Sequence, residues 1–159
     1  MLTLIESEKL QEPVHYTGIE LYPLQQDEIV LLNYCDQLKR KDLEPVFQQI
    51  HQCDWEKDIC LTPFFTFKKI RINLINFSGY QSVNLIYYDA FGPTAQPELW
   101  TKEVFEKLYG MLLPGGVLMT YCSKADVRRA MKAAGLIVKK IPGPWGKREM
   151  VRAAAHPNL

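Results

Sequence analysis

A chain of 159 residues, 47% hydrophobic and 23% charged, can bury a core of its own, which excludes a disordered segment or a disulfide-stapled miniprotein. Four cysteines (Cys35, Cys53, Cys60, Cys122) read as reduced thiols. No run approaches the roughly 18 apolar residues of a membrane span, and MLTLIESEKL carries acids early and lacks a cleavable signal pattern, so a cytoplasmic protein without membrane contact is expected. The net charge of +1 hides a division: residues 1–60 hold 12 acids and 5 Lys/Arg, and residues 61–159 hold 6 acids and 14 Lys/Arg. Such a split fits either a polyanion-facing surface on one side or ordinary surface scatter.

In chain order, Leu2 to Leu10 reads as a helix, with Pro13 closing the loop behind it, and His15 to Leu21 as a short strand ending near Glu20. Pro23 is expected to open a helix with Ile29, Leu32 and Leu38 on one face. Another helix is expected from about Leu43 to Cys53. Phe67 to Ile75 alternates as a half-buried strand does. Val83 to Tyr88 is the next strand, and Pro97 opens a helix lined by Trp100, Val104, Leu108, Met111 and Leu112. Leu113-Pro114-Gly115-Gly116 should stop that helix, and Val117 to Cys122 reads as a central strand. Ser123 and Asp126 form a candidate capping box for a helix ending at Gly135. Leu136 to Ile141 and Glu149 to Ala154 then close the chain as an antiparallel hairpin around PGPWGK. Alternating strands and helices imply an α/β fold with a mostly parallel, doubly wound sheet in one domain.

Ligands of open α/β sheets bind beyond the carboxyl ends of strands, and two strands here end in acids, Glu20 and Asp89. A carboxylate at such a place can accept both hydroxyls of a ribose, and a solvated strand-end acid is the alternative for Glu20. Asp89 follows an apolar strand and precedes the stiff loop Phe91-Gly92-Pro93, which can hold an aromatic face beside the acid. Ring and carboxylate together can seat a flat base and orient an amine on it. The alternative is that Asp89 caps the turn that follows. Of Tyr87 and Tyr88, one is expected in the core and one at the pocket, and Trp100 is expected in the core. Arg128, Arg129 and Lys132 form either an RNA-facing or a solvated helix face. His51, Cys53 and Cys60 match no zinc spacing.

The blocks D-A-F-x-P at 89–93, P-E-L-W at 97–100, P-G-G-x-L-x-T-Y-x-S at 114–123 and G-K-R-E-M at 146–150 occur in order. With HYTGIELYPL at 15–24, they make the whole chain resemble the MnmC methyltransferase domain and its stand-alone MnmD relatives. These use S-adenosyl-L-methionine to methylate the 5-aminomethyl group of the 2-thiouridine at the tRNA wobble position. The resemblance implies a Rossmann-like class I methyltransferase fold. It implies that Glu20 binds the cofactor ribose, and that Asp89 sits between cofactor and substrate amine as the catalytic group. Phe91 and Pro93 would then shape the base pocket, with Lys147 and Arg148 contacting phosphate or organising the site. The implied partners are tRNA and a separate flavin-dependent oxidase that supplies the substrate.

The family begins with a strand and a glycine-rich loop whose amides cradle the methionine end of the cofactor, and this sequence has no such segment. The expectation is therefore an N-terminally truncated methyltransferase-like domain over 1–159, lacking its first, central strand and leaving the neighbouring strands short of partners. A non-catalytic domain that binds RNA or protein is the alternative function. Asn73 and Asn76 are the candidates for adenine contact, uncharged where the family often has an acid.

Overall fold

Local signals set the first helix and its end. α1 (Leu2–Leu10) stops at Gln11, which turns left-handed (φ 55°) and returns its N–H to the Ser7 carbonyl. The computed structural model describes residues 1–79, 82–144 and 146–155. They fall into two units, one over Met1–Asn76 and one that begins at Phe77.

The first unit continues with β1 (Val14–Glu20), α2 (Gln26–Ile29), α3 (Tyr34–Gln37), a 3-10 turn at Lys41–Leu43 and α4 (Glu44–Gln52). It ends with β2 (Ile59–Thr62), β3 (Phe65–Arg71) and a 3-10 turn at Leu74–Asn76. Its sheet has the order β1-β3-β2. β1 runs parallel to β3, with Val14 opposite Phe65 and Glu20 opposite Arg71, while β2 runs antiparallel. Alternation along β3 turns Phe65, Phe67 and Lys69 to one buried face. Phe65 and Phe67 join Leu4, Ile29, Cys35, Leu43 and Phe47 in this unit's core. Lys69 instead carries its ammonium to the end of α4, donating to the carbonyls of Ile50 (3.3 Å) and His51 (2.5 Å) and resting 4.8 Å above the Trp55 ring. The last carbonyls of a helix have no partner within it, so a buried cation fits there.

Three features depart from the sequence expectation. The helix after Pro23 is broken into α2 and α3: Gln25 and Glu28 close a capping box around one turn, and Asn33 leaves the helical region at φ −115°, ψ 31°. That break lets both Ile29 and Cys35 reach the core while leaving Leu31 exposed. The strand expected to reach Ile75 stops at Arg71, because the Asn73 carboxamide accepts the Ile75 N–H (2.9 Å) and turns the chain. β2, four residues long, is too short to have shown alternation in the sequence.

The second unit contains β4 (Val83–Tyr88), a 3-10 turn at Pro97–Trp100, α5 (Lys102–Met111), β5 (Leu112–Thr120), α6 (Ala125–Ala133), β6 (Ile137–Pro142) and β7 (Glu149–Ala154). The order is β4-β5-β7-β6, with β4 parallel to β5 and the other two pairings antiparallel. The closing hairpin thus inserts its second strand beside β5. Phe105, Leu118, Met131, Val151 and Ala153 are fully buried, each worth up to about 1.5–3 kcal/mol for the larger apolar side chains. The helix expected from Pro97 is interrupted at Thr101, whose hydroxyl accepts the Val104 N–H (3.4 Å) and caps α5. Leu113–Gly116 lies inside β5 as an irregularity, so that Val83 pairs with Leu112 and Leu85 with Val117. The Ser123/Asp126 capping box does not form: Lys124 holds the N-cap position, and the Asp126 carboxylate accepts from its neighbour Val127 (3.0 Å). Within the turn at 142–148, Trp145 lies outside the described residues, as do Tyr80 and Gln81 in the stretch before β4.

Among the described residues β1 bonds to β3 alone and β4 to β5 alone. β1 and β4 are thus edge strands of their sheets, as β2 and β6 are on the opposite edges.

Candidate functional site

Asp89 follows β4 directly and is exposed. Among the described residues no donor is bonded to its carboxylate, so it caps no turn. The backbone behind it is held carbonyl by carbonyl. The Tyr121 hydroxyl donates to the Ala90 carbonyl (2.9 Å), the Trp100 indole N–H to the Phe91 carbonyl (2.7 Å), and Gly92 accepts from the N–H groups of Ala95 (2.8 Å) and Gln96 (3.0 Å). Bonds of this kind each contribute about 0.5–1.5 kcal/mol net, and three consecutive carbonyls leave the loop little freedom. Phe91 is 70% exposed and stands out from this loop, with Pro93 half-buried two residues on.

The clamp residues belong to an aromatic cluster under the loop. Tyr88 ends β4 facing the core, edge-on to Trp100 (5.1 Å) and Phe105 (5.7 Å), and its hydroxyl donates to the Leu99 carbonyl (2.5 Å). Its partner Tyr87 faces the other way and is 53% exposed, as the alternation predicts. Burial first, and then the charge of Tyr121, push the Tyr88 phenol far above its ordinary range, so it remains a donor. Trp100 meets Tyr121 edge-on at 6.0 Å. Lys147 places its ammonium 4.7 Å above the Tyr121 ring, next to the Asp89 loop. Asp89, Phe91, Pro93 and Lys147 are thus gathered at one end of the β4–β5 pair.

Arg148 does not join them. It lines a separate concavity with Lys140, Ile141, Pro142 and Glu149. There the Lys140 ammonium bonds the Glu149 carboxylate (2.8 Å) and holds it below the usual carboxylate range, with Arg148 and Arg128 adding smaller contributions. Arg128 donates to the Ser123 carbonyl (3.2 Å), so part of the basic face of α6 ties its own helix to the preceding loop. In the first unit Glu20 ends β1 exposed, and one of its oxygens accepts the Tyr22 N–H (2.8 Å). Asn73, an adenine candidate, spends its carboxamide oxygen on Ile75. A concavity of about 480 Å³ in that unit, beside Leu31, Asn33, Asp36 and Lys41, contains none of the expected site residues. Sequence reading missed Tyr121 and Trp100 as loop anchors. Their signal was an aromatic just past the strand adjacent to the one ending in Asp89, and a second aromatic in the following turn.

A family model described as S-adenosyl-L-methionine-dependent methyltransferase matches residues 34–156. The chain belongs to this family. Within it the chain is similar to the tRNA 5-methylaminomethyl-2-thiouridine biosynthesis bifunctional protein MnmC of Pseudomonas putida, 28% identical over 153 residues that span 89% of this chain and 22% of the relative. The namesake from Aeromonas salmonicida is 39% identical over 69 residues, 43% of this chain and 10% of that one. The chain therefore spans about a fifth of the length of such relatives. Among solved structures, MnmC2 from Aquifex aeolicus superposes with a TM-score of 0.72 at 16% identity, over 97% of this chain and 48% of that one. The CMeT domain of the citrinin polyketide synthase does so with 0.52 at 14% identity, over 96% and 42%. These likenesses show the Rossmann-like methyltransferase fold.

The residues present fit the family's cofactor in part. Glu20 is an exposed strand-end carboxylate suited to a ribose diol, and Asp89 is a second strand-end carboxylate with no hydrogen-bond donor among the described residues. The amide cradle for the amino-acid end is not supplied by any glycine-rich turn among the described residues. The positive-φ glycines stand apart, at Gly115, Gly135 and Gly146.

Proposed function

We propose that residues 1–159 are a single methyltransferase domain that acts on tRNA, methylating the exocyclic aminomethyl group of a modified wobble uridine to give 5-methylaminomethyl-2-thiouridine. The observation that carries this reading is the exposed Asp89 carboxylate, with no donor bonded to it among the described residues, on a loop whose next three carbonyls are all hydrogen-bonded. The tRNA 5-methylaminomethyl-2-thiouridine biosynthesis for which the MnmC relatives are named supports the choice of substrate. S-adenosyl-L-methionine, when bound, supplies a methyl group on sulfur that leaves to form the new N–C bond. Asp89 accepts a hydrogen bond from the amine N–H, aims the nitrogen lone pair and takes up the proton that the product ammonium sheds. Phe91 and Pro93 offer a flat apolar surface for the base, and Lys147 and Arg148 are proposed for phosphate oxygens of the RNA. Glu20 is proposed for the cofactor ribose. A separate flavin-dependent oxidase is proposed to supply the aminomethyl substrate, and the cytoplasm as the place of action; among the described residues no helix is long and apolar enough to cross a membrane. The open edge of β4 is proposed to take a further strand, with a glycine-rich loop behind it, in the catalytically complete form.

The test is methyl transfer from radiolabelled cofactor to tRNA carrying 5-aminomethyl-2-thiouridine. Asp89→Ala is expected to lower the rate about 10²–10⁴-fold with tRNA binding retained. Transfer by that variant at the parent rate would remove Asp89 from the reaction. The missing amide cradle favours a second reading, an RNA-binding domain without catalysis; tRNA binding without transfer by any form carrying an added strand is its signature.

A further inference from the structure

Tyr121 lies one residue beyond the end of β5, where the sheet has no need of it. Three contacts nevertheless converge on it. Its hydroxyl holds the Ala90 carbonyl at 2.9 Å, its ring meets at a near-right angle that of Trp100, which holds the next carbonyl at 2.7 Å, and its face carries the Lys147 ammonium at 4.7 Å. One side chain thus connects the loop after β4 with the turn before β7. We propose that Tyr121 is the positioning residue of the site: its hydroxyl fixes the backbone that bears Asp89, and its ring holds Lys147 ready for a phosphodiester oxygen of the RNA. This rests on the methyltransferase reading above.

Two physical points favour it. The Tyr121 phenol is pushed above its ordinary range, by burial first and then by Cys122 and the Asp89 carboxylate, so at neutral pH the hydroxyl keeps the proton it must donate. A lysine resting on a ring gives up conformational freedom before the anion arrives, which lowers the cost of binding.

The experiment separates the two roles with Tyr121→Phe, which keeps the ring and loses the hydroxyl, Tyr121→Leu, which loses both, and Lys147→Met. Two readouts are taken on the full chain. One is NMR: amide relaxation at Ala90, Phe91 and Gly92, together with the ring-shifted ε-methylene protons of Lys147. The other is kcat and KM for methyl transfer to tRNA carrying 5-aminomethyl-2-thiouridine. In Tyr121→Phe the three amides become mobile, the Lys147 protons stay shifted, and kcat falls about 10- to 100-fold with KM nearly unchanged. In Tyr121→Leu the Lys147 shift is lost as well, and KM rises as it does in Lys147→Met. Amides as rigid in Tyr121→Phe as in the parent would overturn the proposal, and so would a mobile loop with unchanged kcat. Absence of methyl transfer by the parent chain, both with and without the further strand proposed for the edge of β4, overturns the methyltransferase reading instead, and the positioning role then stands or falls on the loop relaxation.

Discussion

Lys69 and His51 show how one buried cation serves two neighbours. Lys69 is 7% exposed, donates to two carbonyls at the end of α4 and lies over Trp55. The His51 ring lies against Phe47 at 4.6 Å, and its pKa is held below the ordinary histidine range by burial first and by the Lys69 charge second. Unfolded, His51 takes its proton near pH ~6.5; folded, it does so only at lower pH. Below that unfolded value the unfolded chain binds more protons, so this group makes stability drop as the pH is lowered, until the folded pKa is passed. Lys69→Met removes the donor and the charge together. It is expected to cost about 1–3 kcal/mol at pH 7.5 in urea denaturation. It should also make the loss of stability between about pH 7 and 5 shallower, since the folded His51 pKa moves back toward its unfolded value. An unchanged acid slope would show that the two groups are not coupled.

At the scale of elements, the junction of β4 with β5 depends on Gly116. A side chain there would put Cβ 2.8 Å from the Leu113 carbonyl oxygen and 3.2 Å from that of Asn84, both backbone atoms that cannot swing away. Gly116→Ala is therefore expected to destabilise the second unit by about 1–3 kcal/mol, while Gly110→Ala, whose Cβ meets nothing within 4 Å, is expected to be neutral or mildly stabilising. Thermal denaturation followed by circular dichroism distinguishes them, and equal midpoints would refute the clash. The same junction shows what the sequence could tell. Leu2–Leu10 and Val83–Tyr88 were legible to the residue because each is bounded by its own local signals. Leu113–Gly116 read as a turn, since its Pro and glycines carry no mark that a neighbouring strand will pair on either side of them. The split of the helix after Pro23 and the unformed Ser123/Asp126 box were decided by side-chain bonds to the backbone, which spacing alone does not rank. Asp89 was legible from its place at a strand end, whereas Tyr121 and Trp100 became site residues only when folding brought their polar atoms to the carbonyls of Ala90 and Phe91. Trp100→Phe tests that clamp: it keeps an apolar ring in the core but leaves the Phe91 carbonyl without its indole donor. The expected result is a stability loss of about 1–2 kcal/mol and faster hydrogen exchange in the Asp89 loop, and unaltered exchange there would show that the bond does not hold it.

For the whole molecule, function depends on which parts of the family's cofactor the chain can recognise. The acid proposed for the ribose is Glu20, while no glycine-rich amide cradle for the amino-acid end is found among the described residues. Affinity should follow this division. In a complete site the amino-acid end adds charge-assisted hydrogen bonds worth about 1.5–3 kcal/mol each, so S-adenosylhomocysteine should bind far more tightly than adenosine. On the proposed assignment of Glu20 to the ribose, the contacts that remain are those of the nucleoside, so the two ligands are expected to bind within a few-fold of one another. Calorimetric titration of the 159-residue chain with both makes the comparison directly. Glu20→Ala should then weaken both ligands equally, by about tenfold, because the hydroxyl pair it recognises is common to them. A hundredfold preference for S-adenosylhomocysteine would mean that other residues of this chain supply the cradle, and the strand proposed at the open edge of β4 would no longer be needed to hold the amino-acid end. Equal affinities that disappear together in Glu20→Ala would instead place nucleoside recognition in the first unit, at the end of β1, and leave the methionine end to the added strand.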